Sequence, residues 1–180
     1  MATNYLINGA MYIPAVYLVP GGIYAAPSYM LYGKTNLTPA VTGSAILDLF
    51  TLPGGMLQNH NGLYIWGFAT TAANTNSKTL SINFAATGAI GAAPTGGTAI
   101  VSVVTTTSGQ SLLVETWVYR TAANAQTYAG YSQAAATQGT PTTGTLTVTD
   151  TSAIQINLVV NDATAAGDAT VQFWGIQFLP

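Results

Sequence analysis

The chain has 180 residues, of which 49% are hydrophobic and only 4% charged, with a formal net charge of −2 and no cysteine. That length fits one domain with a sizeable core. Three basic residues are too few for a phosphate-binding surface, so nucleic acid is not an expected partner. Without cysteine there are no disulfides, thiolate metal sites or cysteine nucleophiles.

A typical globular chain is about 25% charged. Solubility here must rest on Thr, Asn, Gln and Ser and on glycine backbone. Interface cores are depleted in charge because an unpaired buried charge is costly. The composition therefore suits a protein that buries much of its surface against copies or neighbours. A solvated Thr/Asn-rich exterior with no partner is the alternative.

Residues 1–43 form one compositional unit, dense in tyrosine (Tyr5, Tyr12, Tyr17, Tyr24, Tyr29 and Tyr32). Pro14, Pro20, Gly21, Gly22 and Pro27 break any helical or strand period and stop the apolar run short of the ~20 residues that span a bilayer. No positive charge precedes that run, as a secretory signal would require. No basic amphipathic helix suits a membrane surface. The segment is too aromatic for a solvated tail. It reads as an extended apolar arm that lies on a neighbouring subunit or a host surface. Edge strand and loops along its own sandwich are the other reading. The expected contact residues of the arm are Tyr5, Tyr12, Tyr17, Tyr24 and Tyr29, with Ile7, Ile13 and Leu18 as apolar anchors, since aromatic anchors carry much of the energy of interfaces.

From residue 44 the chain reads as strands. Ala45–Phe50 comes first, and Leu52-Pro53-Gly54-Gly55 turns. Leu63–Phe68 follows, with Gly67 as a candidate bulge. Thr79–Phe84 places Leu80, Ile82 and Phe84 on one face, and residues 89–98 are loop chemistry. Ile100–Val104 is next. In Ser111–Arg120 one face holds Leu113, Glu115, Trp117 and Tyr119, and the other Leu112, Val114, Thr116, Val118 and Arg120. Glu115 argues that the second set faces inward. Gln126–Gln133, Thr145–Thr149, Ala153–Val160 and Val171–Phe178 complete the series, with Ala134-Ala135-Ala136 as one helical turn at most. Short strands between Gly/Pro/Asn/Thr turns, without an amphipathic helix, define an all-β chain, an antiparallel β-sandwich or barrel. Trp66, Trp117 and Trp174 lie in strands and are expected in the core.

Catalytic chemistry finds little footing. His60 is the single histidine and sits in turn sequence, Gln58-Asn59-His60-Asn61-Gly62, so neither a triad nor a zinc site is expected. Glycoside hydrolysis needs two flanking carboxylates; Glu115 is the one glutamate, and Asp150, Asp162 and Asp168 fall near turns, where aspartates cap backbone groups. No cofactor or metal is expected: no phosphate-cradling loop is present, and no known calcium-ligand spacing. Lys78 and Arg120 read as structural, with Arg120 free to pair with an acid across the sheet or a subunit boundary. Glu115 and Arg120 face opposite sides of their strand and cannot pair with each other.

The run Gly62-Leu63-Tyr64-Ile65-Trp66-Gly67-Phe68, its Ala72-Ala73-Asn74 loop, and Lys78-Thr79 opening the Leu80, Ile82, Phe84 strand together resemble the central hairpin of jelly-roll domains in tailed-bacteriophage virion proteins. Leu112–Thr121 and Thr145–Phe178 resemble the strands that follow. The resemblance covers residues 44–180 and leaves 1–43 outside it. It implies a jelly-roll domain over 44–180, a homotrimer, and a structural rather than enzymatic role. Such domains occur in head decoration (cement) proteins and in tail-fibre or tailspike proteins. One domain plus an apolar arm is most like a cement protein on the outer surface of the capsid, with the major capsid protein as partner. A tail-fibre or tailspike receptor-binding module that takes carbohydrate is the alternative, and a polysaccharide depolymerase, which needs a carboxylate pair, a third.

Overall fold

Period-two alternation fixes which side chains share a face of each strand, and burial then selects the inner set. The computed structural model describes residues 5–7, 10–12, 29–58 and 60–180. Its strands are β1 Tyr5–Ile7, β2 Ala10–Tyr12, β3 Tyr29–Leu37, β4 Gly43–Leu52, β5 Gly62–Thr71, β6 Lys78–Phe84 and β7 Thr98–Thr105. The series continues with β8 Ser111–Ala122, β9 Ala125–Ala134, β10 Thr137–Gln138, β11 Thr142–Leu146, β12 Ile154–Asp162 and β13 Ala169–Leu179. No helix occurs among the described residues.

Strands β1 and β2 pair with each other. The rest form two antiparallel sheets. The larger runs β10–β9–β8–β5–β13–β3, with β11 also on β9, and the smaller runs β4–β12–β6–β7. The blocks β3–β13–β5–β8 and β4–β12–β6–β7 are the two faces of an eight-strand jelly roll, reached by a chain that crosses between sheets at β3/β4, β4/β5, β5/β6, β7/β8, β11/β12 and β12/β13. Strands β9, β10 and β11 widen the larger sheet beyond β8.

The inner faces supply one apolar core. Leu63, Ile65 and Ala69 of β5, Val114 and Val118 of β8, and Trp174 and Ile176 of β13 meet Phe50, Leu80, Ile82, Phe84, Ile156 and Leu158. In β8 the set Leu112, Val114, Thr116, Val118 is buried, as Glu115 on the opposite face led us to expect. Thr116 is tolerated there because its hydroxyl donates to the Ala129 carbonyl at 3.2 Å.

The outer face of the smaller sheet is partly covered by the β6–β7 connection. The Ile46 amide donates to the Ala92 carbonyl at 2.8 Å and the Gly91 amide to the Ile46 carbonyl at 2.8 Å. Asn157 Nδ2 donates to the Ala86 carbonyl at 3.2 Å. This cover is why Ile46, Asn157 and Val159 are buried on what alternation marks as the outer side.

Four expectations need correction. The expected arm does not run to residue 43: Tyr29–Leu37 is an edge strand, paired with β13 from Tyr29↔Phe178 to Leu37↔Val171. Leu31 and Tyr32 are buried in the sandwich. The residues around Ala135 are no helical turn but a two-residue reversal between β9 and β10, with Ala135 at φ 51°. The irregularity near Gly67 lies instead in β13, between Val171 and Phe173; Gly67 is regular, and packs tightly against Leu158 and Val114. Finally, Trp174 alone of the three tryptophans is in the core; Trp66 and Trp117 are half-buried on the outer face of the larger sheet.

Candidate functional site: an outward aromatic face

Cross-strand partners share a face, so the register sets out this surface in rows. One row is Met30, Gln177, Tyr64, Trp117 and Ala129. The next is Gly33, Gly175, Trp66, Glu115 and Tyr131. A third is Thr35, Phe173, Phe68, Leu113 and Gln133, with Gln138 beyond on β10.

The rings are locked against one another. Tyr64 stacks on Trp66 with centroids 5.0 Å apart and on Trp117 at 5.0 Å. Tyr131 meets Trp117 edge-on at 6.2 Å, and Phe68 stacks on Phe173 at 5.3 Å. Gly175 is what lets Trp66 lie flat: a Cβ there would come within 2.6 Å of the indole. Tyr64 Oη donates to Glu115 Oε1 at 2.6 Å. Burial, and then this bond, push the Tyr64 phenol well above its ordinary range, so it stays a donor at any physiological pH.

Beside the stack, between β8 and the β9–β10 edge, runs a groove of about 300 Å³ lined by Leu113, Glu115, Trp117, Tyr131, Gln133 and Gln138. Glu115 is the one charged side chain in these rows.

Apart from the exposed Lys34, the other charges are folded inward, where they clamp the sandwich. Asp48 is buried and accepts from Tyr32 Oη at 2.7 Å, Lys34 Nζ at 2.8 Å and Trp174 Nε1 at 2.9 Å. Asp150 is buried, accepts from Arg120 Nε and from the Asn124 amide, and is thereby held below the usual carboxylate range. Asp168 accepts from Asn76 Nδ2 at 2.6 Å and Asn74 Nδ2 at 2.7 Å, which lowers its pKa. Lys78 is fully buried and donates to the Asn74 carbonyl at 2.7 Å. Asp162 lies opposite it across β6 and β12; burial raises its pKa, and its Oδ1 meets no partner among the described residues.

Of the residues expected to make contacts, Tyr5, Ile7 and Tyr12 have their backbone in the β1–β2 pair, with Tyr5 directly opposite Tyr12 and Ile7 opposite Ala10. Tyr29 opens β3. Ile13, Tyr17, Leu18 and Tyr24 lie outside the described residues. His60 is exposed in its turn at φ 72°. Among the described residues no three His, Cys, Asp or Glu side chains come together as a metal site would need.

The aromatic face itself went unforeseen, although Trp117 and Tyr119 share their alternation face with Glu115, and that was the available signal.

Fold and site together define a jelly-roll β-sandwich with an outward aromatic platform and almost no surface charge. No protein-family model and no curated protein sequence matches the chain. Among solved structures it is similar to a chain in the structure of infectious bursal disease virus Gx strain, at 12% identity and a TM-score of 0.32, over 92% of this chain and 37% of that one. A chain of the Gt strain gives 11% identity and a TM-score of 0.29, over 92% of this chain and 38% of that one. The present chain thus spans well under half the length of these neighbours.

Proposed function

We propose that the protein is a structural, non-enzymatic virion component: a decoration (cement) protein that sits as a homotrimer on the outside of a phage head and ties neighbouring copies of the major capsid protein together. One observation carries this reading. The few charges the chain owns are mostly spent inside it. Asp48, Lys78, Asp150, Asp162 and Asp168 are buried, and the Arg120 side chain is only 14% exposed. What remains outside is neutral apart from Lys34 and the half-buried Glu115, and includes the large apolar side chains Met30, Ile90, Val104 and Phe173. A free monomer with such an exterior is prone to self-association, whereas a subunit that buries it in an assembly gains from every uncharged contact.

In this reading the residues before β3, with Tyr5, Ile7, Tyr12, Ile13, Tyr17, Leu18 and Tyr24 as anchors, bind a neighbouring subunit or the shell, and Tyr29 marks where that segment joins the sandwich. Light scattering on the full chain and on residues 29–180, followed by co-sedimentation with undecorated heads, tests it. We expect a trimer that binds heads, and loss of both properties on truncation. A monomer in both forms, or truncated protein that still trimerises and binds, overturns it.

A tail-fibre or tailspike receptor-binding module is the second reading. The Tyr64–Trp66–Trp117 platform favours it, because a receptor module needs an exposed, rigid recognition surface.

A further inference from the structure

The groove between β8 and the β9–β10 edge has a chemistry that the assembly reading does not use. Its floor and one wall are aromatic: Trp117, held against Tyr64 at 5.0 Å, and Tyr131, edge-on to Trp117 at 6.2 Å. Beside Leu113, its other lining groups are hydrogen-bonding and neutral save one: Gln133, Gln138, Ser132 and the Glu115 carboxylate. One Glu115 oxygen accepts from Tyr64, which orients the carboxylate and leaves its second oxygen to the groove. Such a combination, a rigid ring beside a few placed polar groups, is how small-molecule sites are built.

Charge and geometry select among ligands. The rows of this face hold no cation, so a phosphate, sulfate or uronate has nothing to neutralise it and would meet the Glu115 carboxylate. An apolar protein segment would seal the second Glu115 oxygen away from water without a donor, which is costly. A pyranose avoids both penalties. Its axial C–H face lies on an indole or phenol ring, and its hydroxyl rim offers donors to a carboxylate and both donors and acceptors to amides. An open groove along the strands also admits a chain rather than a single sugar.

We infer that this groove binds a neutral oligosaccharide, with one pyranose stacked on Trp117 and its hydroxyls held by Glu115, Gln133 and Gln138. Binding is independent of whether the protein is a head or a tail component.

The experiment is isothermal titration of the full-length protein with neutral gluco-, manno-, galacto- and N-acetylglucosamine hexasaccharides, with oligogalacturonate as the acidic counterpart. Tryptophan fluorescence is read in parallel, and light scattering reports oligomeric state. Expected is millimolar or tighter binding of at least one neutral hexasaccharide, with quenching of the emission. Trp117→Ala is expected to weaken it more than ~10-fold, and Glu115→Gln and Gln138→Ala to weaken it severalfold. Gln138 is exposed, so its variant tests the groove without burdening the fold.

The inference is overturned if no neutral probe binds, if oligogalacturonate alone binds, or if binding is indifferent to all three substitutions. It is equally overturned if Trp117→Ala changes only the oligomeric state. That result assigns the face to contact with a second copy.

Discussion

Asp48 sits on β4 in the smaller sheet, yet all of its side-chain bonds reach β3 and β13 in the larger one, at 2.7, 2.8 and 2.9 Å. It is therefore a polar rivet through the sandwich, and its partners are unequal. Trp174 and Tyr32 are buried, whereas the Lys34 side chain is 45% exposed. Asp48→Ala strands an indole N–H and a phenol in the core, and is expected to cost about 3–5 kcal/mol in a guanidinium titration. Lys34→Ala removes only a half-solvated ion pair and is expected to cost under about 1 kcal/mol. Equal losses in the two variants would mean that the lysine, not the buried donors, holds the rivet.

The remaining carboxylates set the pH response. Asp150 is lowered chiefly by Arg120 and then by the Asn124 amide; Asp168 is lowered by Asn76 and Asn74. A lowered folded-state pKa gives stability that is present above the unfolded value of about 3.9 and is lost as pH falls through the folded value. Asp162 runs the other way. Burial raises it, so its contribution is full below the unfolded value and is lost as pH rises through the raised one. Denaturation midpoints are thus expected to fall in acid, less steeply in Asp168→Asn than in the parent. In Asp162→Asn the loss of stability as pH rises through the raised Asp162 value is expected to vanish. A parent midpoint that is flat below pH ~4 would contradict this assignment.

At the level of elements, the Trp66–Gly175 contact between β5 and β13 shows how a glycine serves a surface. Gly175→Ala brings a methyl to within 2.6 Å of the indole, but the obstructed atoms belong to a side chain on the outer face and not to backbone. The ring can therefore swing away. We expect a stability loss within about 1 kcal/mol, below the usual cost of overpacking a core, together with a clear change in near-ultraviolet circular dichroism as the Tyr64–Trp66 stack opens. A large destabilisation with an unchanged spectrum would show the backbone yielding instead.

Elements with unbroken alternation were legible beforehand. Residues 45–50, 63–68, 79–84, 100–104, 111–120, 126–133 and 171–178 all fall in observed strands, and 153–160 does so but for Ala153. Others were not. In β3, Gly33 and Lys34 interrupt the apolar pattern, and its pairing partner β13 is more than a hundred residues away, so nothing local announces it. The pairing of Tyr5–Ile7 with Ala10–Tyr12 had a local sign, the intervening Asn8-Gly9, a dipeptide that favours tight hairpins; it was masked by the prolines that follow. The aromatic face does not follow from alternation alone. Alternation says which residues share a side, but large rings are usually assigned inward, although Glu115 already marks its side of β8, with Trp117, as outer.

For the molecule as a whole, the question is where the self-sufficient unit begins. All strands of both sheets lie within residues 29–180, and the inter-sheet rivet draws Tyr32 and Lys34 from the first of them. Cutting before β3 leaves the jelly roll closed. Cutting after it removes Leu31 and Tyr32 from the core, deprives Asp48 of two donors, and bares the β13 edge along its length. We therefore expect residues 29–180 to unfold cooperatively with a midpoint within a few degrees of the full chain, and residues 38–180 to aggregate or bind hydrophobic dye as a loosened state. Thermal scans of the two truncations decide it. If 38–180 melts as sharply as 29–180, β3 is an ornament on the sheet, and the contact segment does extend to residue 43. If 29–180 is itself unstable, the first 28 residues contribute to the fold as well as to any assembly. The two roles would then have to be separated by substituting the tyrosines singly rather than by truncation.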